Sequence, residues 1–417
     1  MVYLKWEDYL LILVSVVLSL GTGLFQTLRG KKDKTVTKYI MGNGKMAILP
    51  VALSMLVSYH SGILMLGYTA EVYLYGMQIT MMLVGNIIGD LVSLYLFVPH
   101  LSRMEMNSIF QFLEMRYGSR GIRIFGTILS IIIMANYNGT VLAMPAAALK
   151  AVAGIDIWMS IVGLMSVVLV YTLIGGFTAV IWTDVLQSLL MFGGILAVII
   201  KGTIDAGGLS ETWRTVYDQG RVNLIIFDVD PTRRQAFWSL IIGGFTSSLL
   251  SPFLQTTYLR IKANPTAKAR RKMYLLSSFL SVSMRFLAGV CGAVMFAYFF
   301  NKGCDPLVSK RLDNPNQMMP AMVIEIFQEY PGLPGLFMAA LFCASLSTLS
   351  SVLSGMMSLL WEDIIKPYTK PMSERRGIMI NQISGLAFGV VGIGVAFLVS
   401  NIQGPVIQVR HDFNVII

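Results

Sequence analysis

A row of hydroxyl side chains runs through the apolar segment 333–361. Ser347 and Ser351 are four residues apart, as are Ala344 and Thr348, so on a helix these residues fall along one face. Hydroxyl and carbonyl oxygens are hard, weakly charged ligands, and they suit reversible binding of sodium better than binding of a transition metal. The row therefore predicts one wall of a site for an alkali ion.

Two further apolar segments are interrupted by polar or helix-breaking residues. Segment 47–73 is interrupted at 58–62, and segment 237–258 contains Gly, Thr, Ser and Pro residues at 243–252. Unwound backbone at membrane depth is tolerated only where it is buried in protein or lines a wet cavity, and it frees carbonyls that can bind a cation. Interruptions at corresponding places in two halves of a chain predict a transporter built from inverted repeats. The alternative is ordinary helix packing, in which Ser and Gly are common.

Among the charged residues within or at the edge of apolar segments, we single out Asp90, Asp184 and Arg285. Asp184 follows the glycine pair Gly175-Gly176 and begins the next apolar run. Ionisable groups in a bilayer are costly unless they face a cavity, a cation or a partner, so each is a candidate for function. For Asp184 the alternative is an interfacial helix cap. For Arg285 the hypothesis is contact with a substrate carboxylate, and the alternatives are pairing, snorkelling or a wet crevice.

The composition is that of a membrane protein. The 417 residues are 55% hydrophobic and 13% charged, whereas a soluble domain carries roughly twice that charged fraction. Mean hydropathy is +0.68. Apolar runs able to cross ~30 Å of hydrocarbon recur along the chain. We predict an all-α multi-pass membrane protein with about ten transmembrane helices, near residues 8–27, 47–73, 75–98, 122–148, 157–174, 182–202, 237–258, 273–299, 333–361 and 379–400.

The net charge of +10 reflects membrane topology rather than a nucleic-acid partner. About 20 of the 32 Lys and Arg lie in four alternate loops, at 29–45, 103–123, 260–272 and 366–376. The positive-inside rule places these loops in the cytoplasm. The N-terminus and the tail beyond residue 400 are then expected outside, and the first apolar run is expected to be a signal anchor.

The sequence also argues against an enzyme. It contains three His, and no nucleophile–base arrangement is readable in it. Its three Cys give no disulfide framework. No cluster of His, Cys and carboxylates suggests a transition metal. We therefore expect neither enzymatic activity nor a cofactor.

The chain resembles the solute:sodium symporter family, and within it the branch of sodium-coupled monocarboxylate and multivitamin transporters. The resemblance extends from about residue 40 to 408. The motifs that carry it are PVALS at 50–54, AEVY at 70–73, FLEMRY at 112–117, GGFTAVIWTDVLQ at 175–187, FW at 237–238, YPGLPGLF at 330–337, LST at 346–348 and EDIIKP at 362–367.

This resemblance implies a leucine-transporter-like bundle of two inverted five-helix repeats that follow an extra helix. Residues 1–46 would be the extra transmembrane helix and a basic cytoplasmic loop, 47–202 the first repeat and 203–236 an extracellular loop. Residues 237–408 would be a second repeat that lacks its last helix, and 409–417 a divergent tail. The second repeat is thus expected to be incomplete.

The resemblance also implies binding residues. A sodium ion would be held by the carbonyls of Val57, His60 and Ala344 and by the hydroxyls of Ser347 and Thr348. In some family members a further sodium is held by groups that match Asp184, Ser350 and Ser351. We expect the substrate near the break in the first core helix, at Ser61, Gly62, Tyr137, Thr246 and Gln255.

The function implied is symport of sodium with small organic anions, such as monocarboxylates or carboxylate-bearing vitamins, by alternating access. Sodium is the coupling ion, the lipid bilayer is the surrounding partner, and the plasma membrane is the expected location. One alternative is a truncated, non-transporting isoform that modulates a full-length relative. Another is symport of a different solute, iodide or sugar.

Overall fold

The computed structural model describes residues 4–29, 35–225, 227, 235–312 and 314–400, and these form helices joined by turns and loops, with no strand among them. The α-helices are α1 (Trp6–Arg29), α2 (Val36–Met41), α3 (Ile48–Tyr59), α4 (Thr69–Tyr75), α5 (Met82–Val92), α6 (Val98–Arg103), α7 (Gln111–Tyr117), α8 (Arg120–Ala153), α9 (Ile157–Asp205), α10 (Leu209–Asp218), α11 (Phe237–Leu250), α12 (Gln255–Ala263), α13 (Ala267–Asn301), α14 (Met318–Ile326), α15 (Leu333–Leu359), α16 (Lys366–Tyr368) and α17 (Glu374–Ser400). Turns of 3-10 helix lie at Met77–Met81, Ser251–Phe253 and Pro315–Gln317, and π-helical turns at Leu64–Tyr68, Ser93–Phe97 and Leu360–Ile365.

The number of membrane spans agrees with the prediction from the sequence. Within the described ranges, seven helices are long and apolar enough to span a membrane, and two bent helix pairs raise this number to nine. Gly176 has non-helical torsion angles inside α9 and divides it into two helices, which gives ten. The prediction of an all-α multi-pass membrane protein is therefore confirmed. The proposed domain boundaries remain a prediction, and residues 401–417 lie outside the described part of the chain.

Helix α15 is the central helix of the bundle. Of its most apolar 18-residue window, 94% is buried, whereas the corresponding windows of the other six long spans are 22 to 56% buried. Helices α1, α3, α8, α9 and α17 pack around it. The hydroxyl row at 347–351 therefore lies in the protein interior rather than against lipid.

Two of the spans are broken. Helices α3 and α4 meet at 61°, and α11 and α12 meet at 59°. The first break lies at His60, within the predicted interruption. The second begins at Ser251-Pro252, because proline cannot donate a helical hydrogen bond. The rest of the predicted interruption at 243–252 is continuous helix, in which Gly244 allows close contact with the backbone of α5.

Gly176 forms a sharp turn within α9. Its φ of 63° favours glycine, and a Cβ there would lie 2.7 Å from the carbonyl oxygen of Tyr39 in α2. The Tyr39 hydroxyl donates to the carbonyl of Leu173, 2.8 Å away, on the other side of the turn. Helix α2 therefore packs directly against the turn that precedes Asp184.

Candidate sodium site

The break after α3 makes backbone carbonyls available to other helices. His60 adopts an extended conformation (φ −112°, ψ 101°), and its N–H makes the closing bond of the helix, 3.2 Å from the Leu56 carbonyl. The next carbonyl, that of Val57, accepts hydrogen bonds from α15 instead. This carbonyl belongs to the unsatisfied backbone groups that end every helix.

The Val57 carbonyl receives two hydroxyl groups of α15. Ser347 Oγ lies 3.2 Å from this oxygen and Thr348 Oγ1 lies 3.0 Å from it. Each hydroxyl also lies 3.1 Å from the carbonyl oxygen of Ala344. Four oxygen atoms from α3 and α15 therefore converge, and we call Val57, Ala344, Ser347 and Thr348 the sodium cluster. The family resemblance implied these residues as sodium ligands, and that role remains a prediction.

This cluster has the donor set that a small monovalent cation needs. Each hydroxyl carries one proton, so two protons serve the four close contacts between oxygens. A sodium ion held among Val57, Ala344, Ser347 and Thr348 would be bound by neutral, hard oxygen ligands. His60, whose carbonyl was expected as a fifth ligand, has an extended backbone conformation, and its part in binding sodium remains a prediction.

A buried ion pair lies beside this cluster. Arg260 Nη2 donates to Asp184 Oδ2 at 3.1 Å, and the two side chains are 1% and 0% exposed. Ser54 Oγ donates to the same carboxylate oxygen at 2.5 Å and accepts from Arg260 Nε at 2.9 Å. A buried ion pair is stable only when further hydrogen bonds support its charges, and here Ser54 bonds both the Asp184 Oδ2 atom and the guanidinium of Arg260.

The hydroxyl of Ser351 connects the ion pair to the sodium cluster. It accepts from Arg260 Nη2 at 2.6 Å and donates to the carbonyl of Ser347 at 2.7 Å. Ser58, in the last turn of α3, lies 2.9 Å from it. The structure thus brings Asp184 and Ser351, which the sequence analysis had grouped, to one guanidinium, that of Arg260, whose part the sequence did not predict.

Ser350 occupies a neighbouring position on the same helix. Its hydroxyl donates to the Ser347 carbonyl at 2.9 Å. Oδ1 of Asp184 is buried and has no hydrogen-bond partner among the described residues. The hypothesis that Asp184, Ser350 and Ser351 hold a further sodium remains a prediction.

Arg260 was assigned from the sequence to a basic cytoplasmic loop, and this assignment is wrong. Helix α12 extends to Ala263, so Arg260 belongs to a helix, and it is fully buried. The apolar neighbours Leu259 and Ile261 were the available signal. Both are fully buried, as is Arg260 between them.

The residues predicted to bind substrate divide into two groups. Ser61 and Gly62 lie at the first break and are buried, and a Cβ on Gly62 would lie 2.8 Å from Ser345 Oγ. Tyr137 is half-buried on α8 against the main apolar core. Ser345, whose hydroxyl is buried without a hydrogen-bond partner in the described part of the chain, was missed as a candidate.

The side chains of Thr246 and Gln255 form hydrogen bonds away from the first helix break. The Thr246 hydroxyl is exposed and donates to the Ile242 carbonyl of its own helix. Gln255 accepts from the backbone N–H of Ile109 at 3.0 Å and donates to the Asn107 carbonyl at 3.0 Å. These contacts do not bring either residue to Ser61, and their role in substrate binding remains a prediction.

Comparison with known proteins identifies the family. A sequence model of the Sodium:solute symporter family matches residues 39–410. The sodium/iodide cotransporter of Homo sapiens is 34% identical over 96% of this chain and 62% of its own length. The sodium-dependent multivitamin transporter of Oryctolagus cuniculus is 36% identical, with 96% and 63% covered. The sodium-coupled monocarboxylate transporter 1 of Homo sapiens is 34% identical, with 97% and 66% covered.

The chain thus spans 62 to 66% of the length of these three relatives. Among solved structures, the substrate-bound outward-open state of a Na+-coupled sialic acid symporter has a TM-score of 0.85 at 20% identity, with 95% of this chain and 82% of that chain covered. This likeness shows the leucine-transporter-like fold. The resemblance found from the sequence motifs is confirmed, and the chain belongs to the sodium:solute symporter family.

Proposed function

We propose that the protein is a sodium-coupled symporter of small organic anions, either monocarboxylates or vitamins that bear a carboxylate. The observation that carries this proposal is the pair of contacts that Ser347 and Thr348 make with the Val57 carbonyl. They join the broken helix to the central helix through oxygens that suit sodium. Sodium bound there would hold α3 and α15 together.

Alternating access follows from this arrangement. With sodium bound, α3 and α15 are held together and the state open to the outside is favoured, because a ligand shifts an equilibrium toward the state that it binds better. Loss of sodium to the cytoplasm would release α3 from α15. The membrane potential drives each sodium ion inward with about 2.3 kcal/mol per charge per 100 mV.

The site offers few charges for an anionic solute, so the cotransported cation has a second role. An isolated carboxylate is costly to transfer out of water. Sodium beside the first break, together with the N-terminal end of the half-helix that begins after Gly62, would offset this cost. Ser61, Gly62 and the unpartnered hydroxyl of Ser345 are the groups that we place nearest the solute.

Iodide is the second candidate solute. The human sodium/iodide cotransporter and the human monocarboxylate transporter 1 are both 34% identical to this chain, so similarity favours neither solute. An uptake panel separates them. Cells that express the chain are given labelled lactate, nicotinate, biotin, pantothenate or iodide in sodium and in choline medium. Saturable, sodium-dependent uptake of a carboxylate supports the proposal, uptake of iodide alone replaces its substrate class, and uptake of none contradicts it.

We also propose that the protein lies in the plasma membrane with its N-terminus outside. The basic residues at 103–123 and 366–376 support this orientation through the positive-inside rule. An epitope fused before Trp6 should be stained in intact cells. An epitope inserted after Thr369, in the connection between α16 and α17, should be stained only after permeabilisation. The reverse pattern would overturn the orientation.

A further inference from the structure

Asp90 lies at the middle of the span Met77–Arg103 and accepts hydrogen bonds from α13. Ser278 Oγ lies 2.6 Å from Asp90 Oδ2, and the Tyr274 hydroxyl lies 3.4 Å from Oδ1. Arg285, two turns farther along α13, acts on the same carboxylate electrostatically. A carboxylate at this depth is costly without such partners. Together these contacts join the span Met77–Arg103 to α13.

The hydrogen bonds of Tyr274 continue to the second helix break, and a separate bond from Tyr59 joins that break to the first. The Tyr274 hydroxyl lies 3.0 Å from Ser251 Oγ, in the turn that breaks α11 from α12. Tyr59, the last residue of α3, contacts the other side of the same break. The Tyr59 hydroxyl in turn lies 2.5 Å from Thr257 Oγ1 in the first turn of α12. We call Asp90, Tyr274, Ser278, Ser251, Tyr59 and Thr257 the Asp90 network.

Backbone packing fixes one side of this network. Gly85 and Gly89 of α5 contact α11 so closely that a Cβ would lie 2.1 Å from the Ile241 carbonyl and 2.4 Å from the Phe245 carbonyl. Ser93 donates to the carbonyls at the end of α11, at 3.2 Å. The span Met77–Arg103 therefore packs against α11 along its length, as far as the break. The position of the break itself is left to side-chain hydrogen bonds.

The network and the sodium cluster join different helices. The sodium cluster connects α3 to α15 through Val57, Ser347 and Thr348. The Asp90 network joins the end of α3 to the α11–α12 break. It also joins this break to α13, and α13 to the span Met77–Arg103. Removing the network should therefore disturb the two breaks relative to each other while the sodium oxygens keep their own contacts.

We infer that Asp90 is a positioning residue that acts through Tyr274 and Ser251 to hold the two helix breaks in register. Its consequence for transport rests on the proposed function, which places the solute beside the first break, at Ser61, Gly62 and Ser345. A solute that needs both breaks in place binds with an apparent affinity reduced by the fraction of molecules in which they are displaced. Loss of Asp90 should thus raise the KM for solute more than it changes the sodium requirement.

The first test needs no solute. Hydrogen–deuterium exchange is measured on the purified full chain and on its Asp90→Ala and Tyr274→Phe variants. We expect exchange at residues 59–62 and 251–254 to rise by about tenfold, as loss of a hydrogen bond to a charged group predicts, while 344–348 are unchanged. Wild-type exchange at both breaks, or an equal rise along the whole chain, would overturn the inference.

The second test uses uptake of labelled nicotinate, which is both a monocarboxylate and a vitamin. Asp90→Ala and Tyr274→Phe should raise its KM about tenfold and change the half-saturating sodium concentration less than about twofold. Asp90→Asn should restore most of the wild-type KM, because its amide oxygen still accepts the Ser278 hydroxyl. An unchanged KM in Asp90→Ala with a lower maximal rate would mean only a folding defect and would overturn the inference.

A matched pair of serine variants controls for the loss of a hydroxyl from α13. Ser278→Ala removes a bond to Asp90, whereas Ser283→Ala removes a bond to the Phe279 carbonyl of the same helix. Only Ser278→Ala should alter exchange and KM, and equal effects of both would overturn the assignment to Asp90. If the wild type takes up no solute, the proposed function fails, and the exchange measurements still decide the role of Asp90.

Discussion

Arg260 Nη2 lies 3.1 Å from Asp184 Oδ2, and this contact joins the second half of a broken helix to α9 in the buried centre of the bundle. Ser351 contacts the same guanidinium and the carbonyl of Ser347, so the ion pair is one residue away from the sodium cluster. Because an unmatched buried charge is expensive, the pair holds α12 against α9 and α15 in this conformation.

Replacement of Arg260 alone should strongly destabilise the protein. Arg260→Met leaves the Asp184 carboxylate buried without its counter-ion, and we expect a loss of about 3–5 kcal/mol. Asp184→Asn combined with Arg260→Met should recover much of this loss, because it removes the uncompensated charge. Thermal unfolding in detergent measures both effects. A double variant that is less stable than Arg260→Met would contradict this account of the pair.

Gly176→Ala should destabilise the turn within α9 by about 1–3 kcal/mol, since its backbone conformation is essentially restricted to glycine. The added methyl group would also contact the Tyr39 carbonyl. Gly193→Ala is the matched control on the same helix, where a Cβ meets no atom within 4 Å. We expect this control to be neutral or slightly stabilising. Equal melting temperatures for the two variants would refute the role of the turn.

Asp363 ties the connection between α6 and α7 to the end of the α15 span. It accepts from Arg123 at 2.6 Å, from Ser108 at 2.5 Å and from Thr127 at 2.6 Å. Asp363→Ala should therefore cost about 1–3 kcal/mol, because it leaves the buried hydroxyls of Ser108 and Thr127 without their acceptor, while Arg123 keeps its ion pair with Glu114 at 2.7 Å.

The control for Asp363 is Asp205→Ala, which breaks a more exposed ion pair with Lys201. We expect this change to cost less than about 1 kcal/mol. Thermal unfolding of both variants compares them. A loss of stability in Asp205→Ala as large as that in Asp363→Ala would show that the buried contacts of Asp363 contribute no more to stability than a more exposed ion pair.

Glu325, which lies outside the membrane-spanning segments, should make the stability of the protein depend on pH. Burial acts to raise its pKa, but the hydrogen bond and charge of Lys302 and the charge of Arg311 outweigh burial, so the pKa lies below its usual value. A carboxylate with a lowered pKa adds stability above its unfolded pKa, about 4.3, and loses it as pH falls through the folded value.

The difference in stability between the wild type and Glu325→Gln should therefore be full above about pH 5 and vanish at more acidic pH. Its size should be about 1 kcal/mol or less, because both cations are half exposed. Melting temperatures from pH 7 downward measure the difference. A difference that grows as pH falls below 4 would have the wrong sign for this ion-pair cluster.

Two features of the sodium cluster could be predicted from local patterns, namely the helix break and the hydroxyl row. The polar run at 58–62 stands out inside an apolar segment, and the break at His60 falls within it. The i, i+4 spacing of Ala344 and Thr348 and their neighbour Ser347 placed their oxygens on one helix, and the structure joins them to Val57. The helix break and the hydroxyl row are properties of single helices, so local sequence indicated them. The assignment of Val57, Ala344, Ser347 and Thr348 as ligands came from the family resemblance.

Features that depend on how helices are rotated could not be predicted in the same way. Arg260 was counted as a solvated cation, because the positive-inside rule counts charges without knowing where a broken helix ends. Thr246 lies on the exposed face of α11, a rotation that its nearly uniform apolarity does not reveal. The burial of Arg260 and the exposure of Thr246 both depend on which distant helices pack together, and local sequence does not reveal this.

Sodium-dependent thermal stabilisation tests the central claim most directly. The melting temperature of the purified chain is measured against increasing sodium chloride, with choline chloride as the salt control, for the wild type, Ser347→Ala and Thr348→Val. Ser166→Ala, whose exposed hydroxyl only bonds the Val162 carbonyl of its own helix, is the matched control.

We predict that sodium stabilises the wild type and Ser166→Ala alike, and that each cluster variant needs about tenfold more sodium for the same shift. Equal sodium titrations for all four proteins would contradict a sodium site between Val57 and the hydroxyls of Ser347 and Thr348.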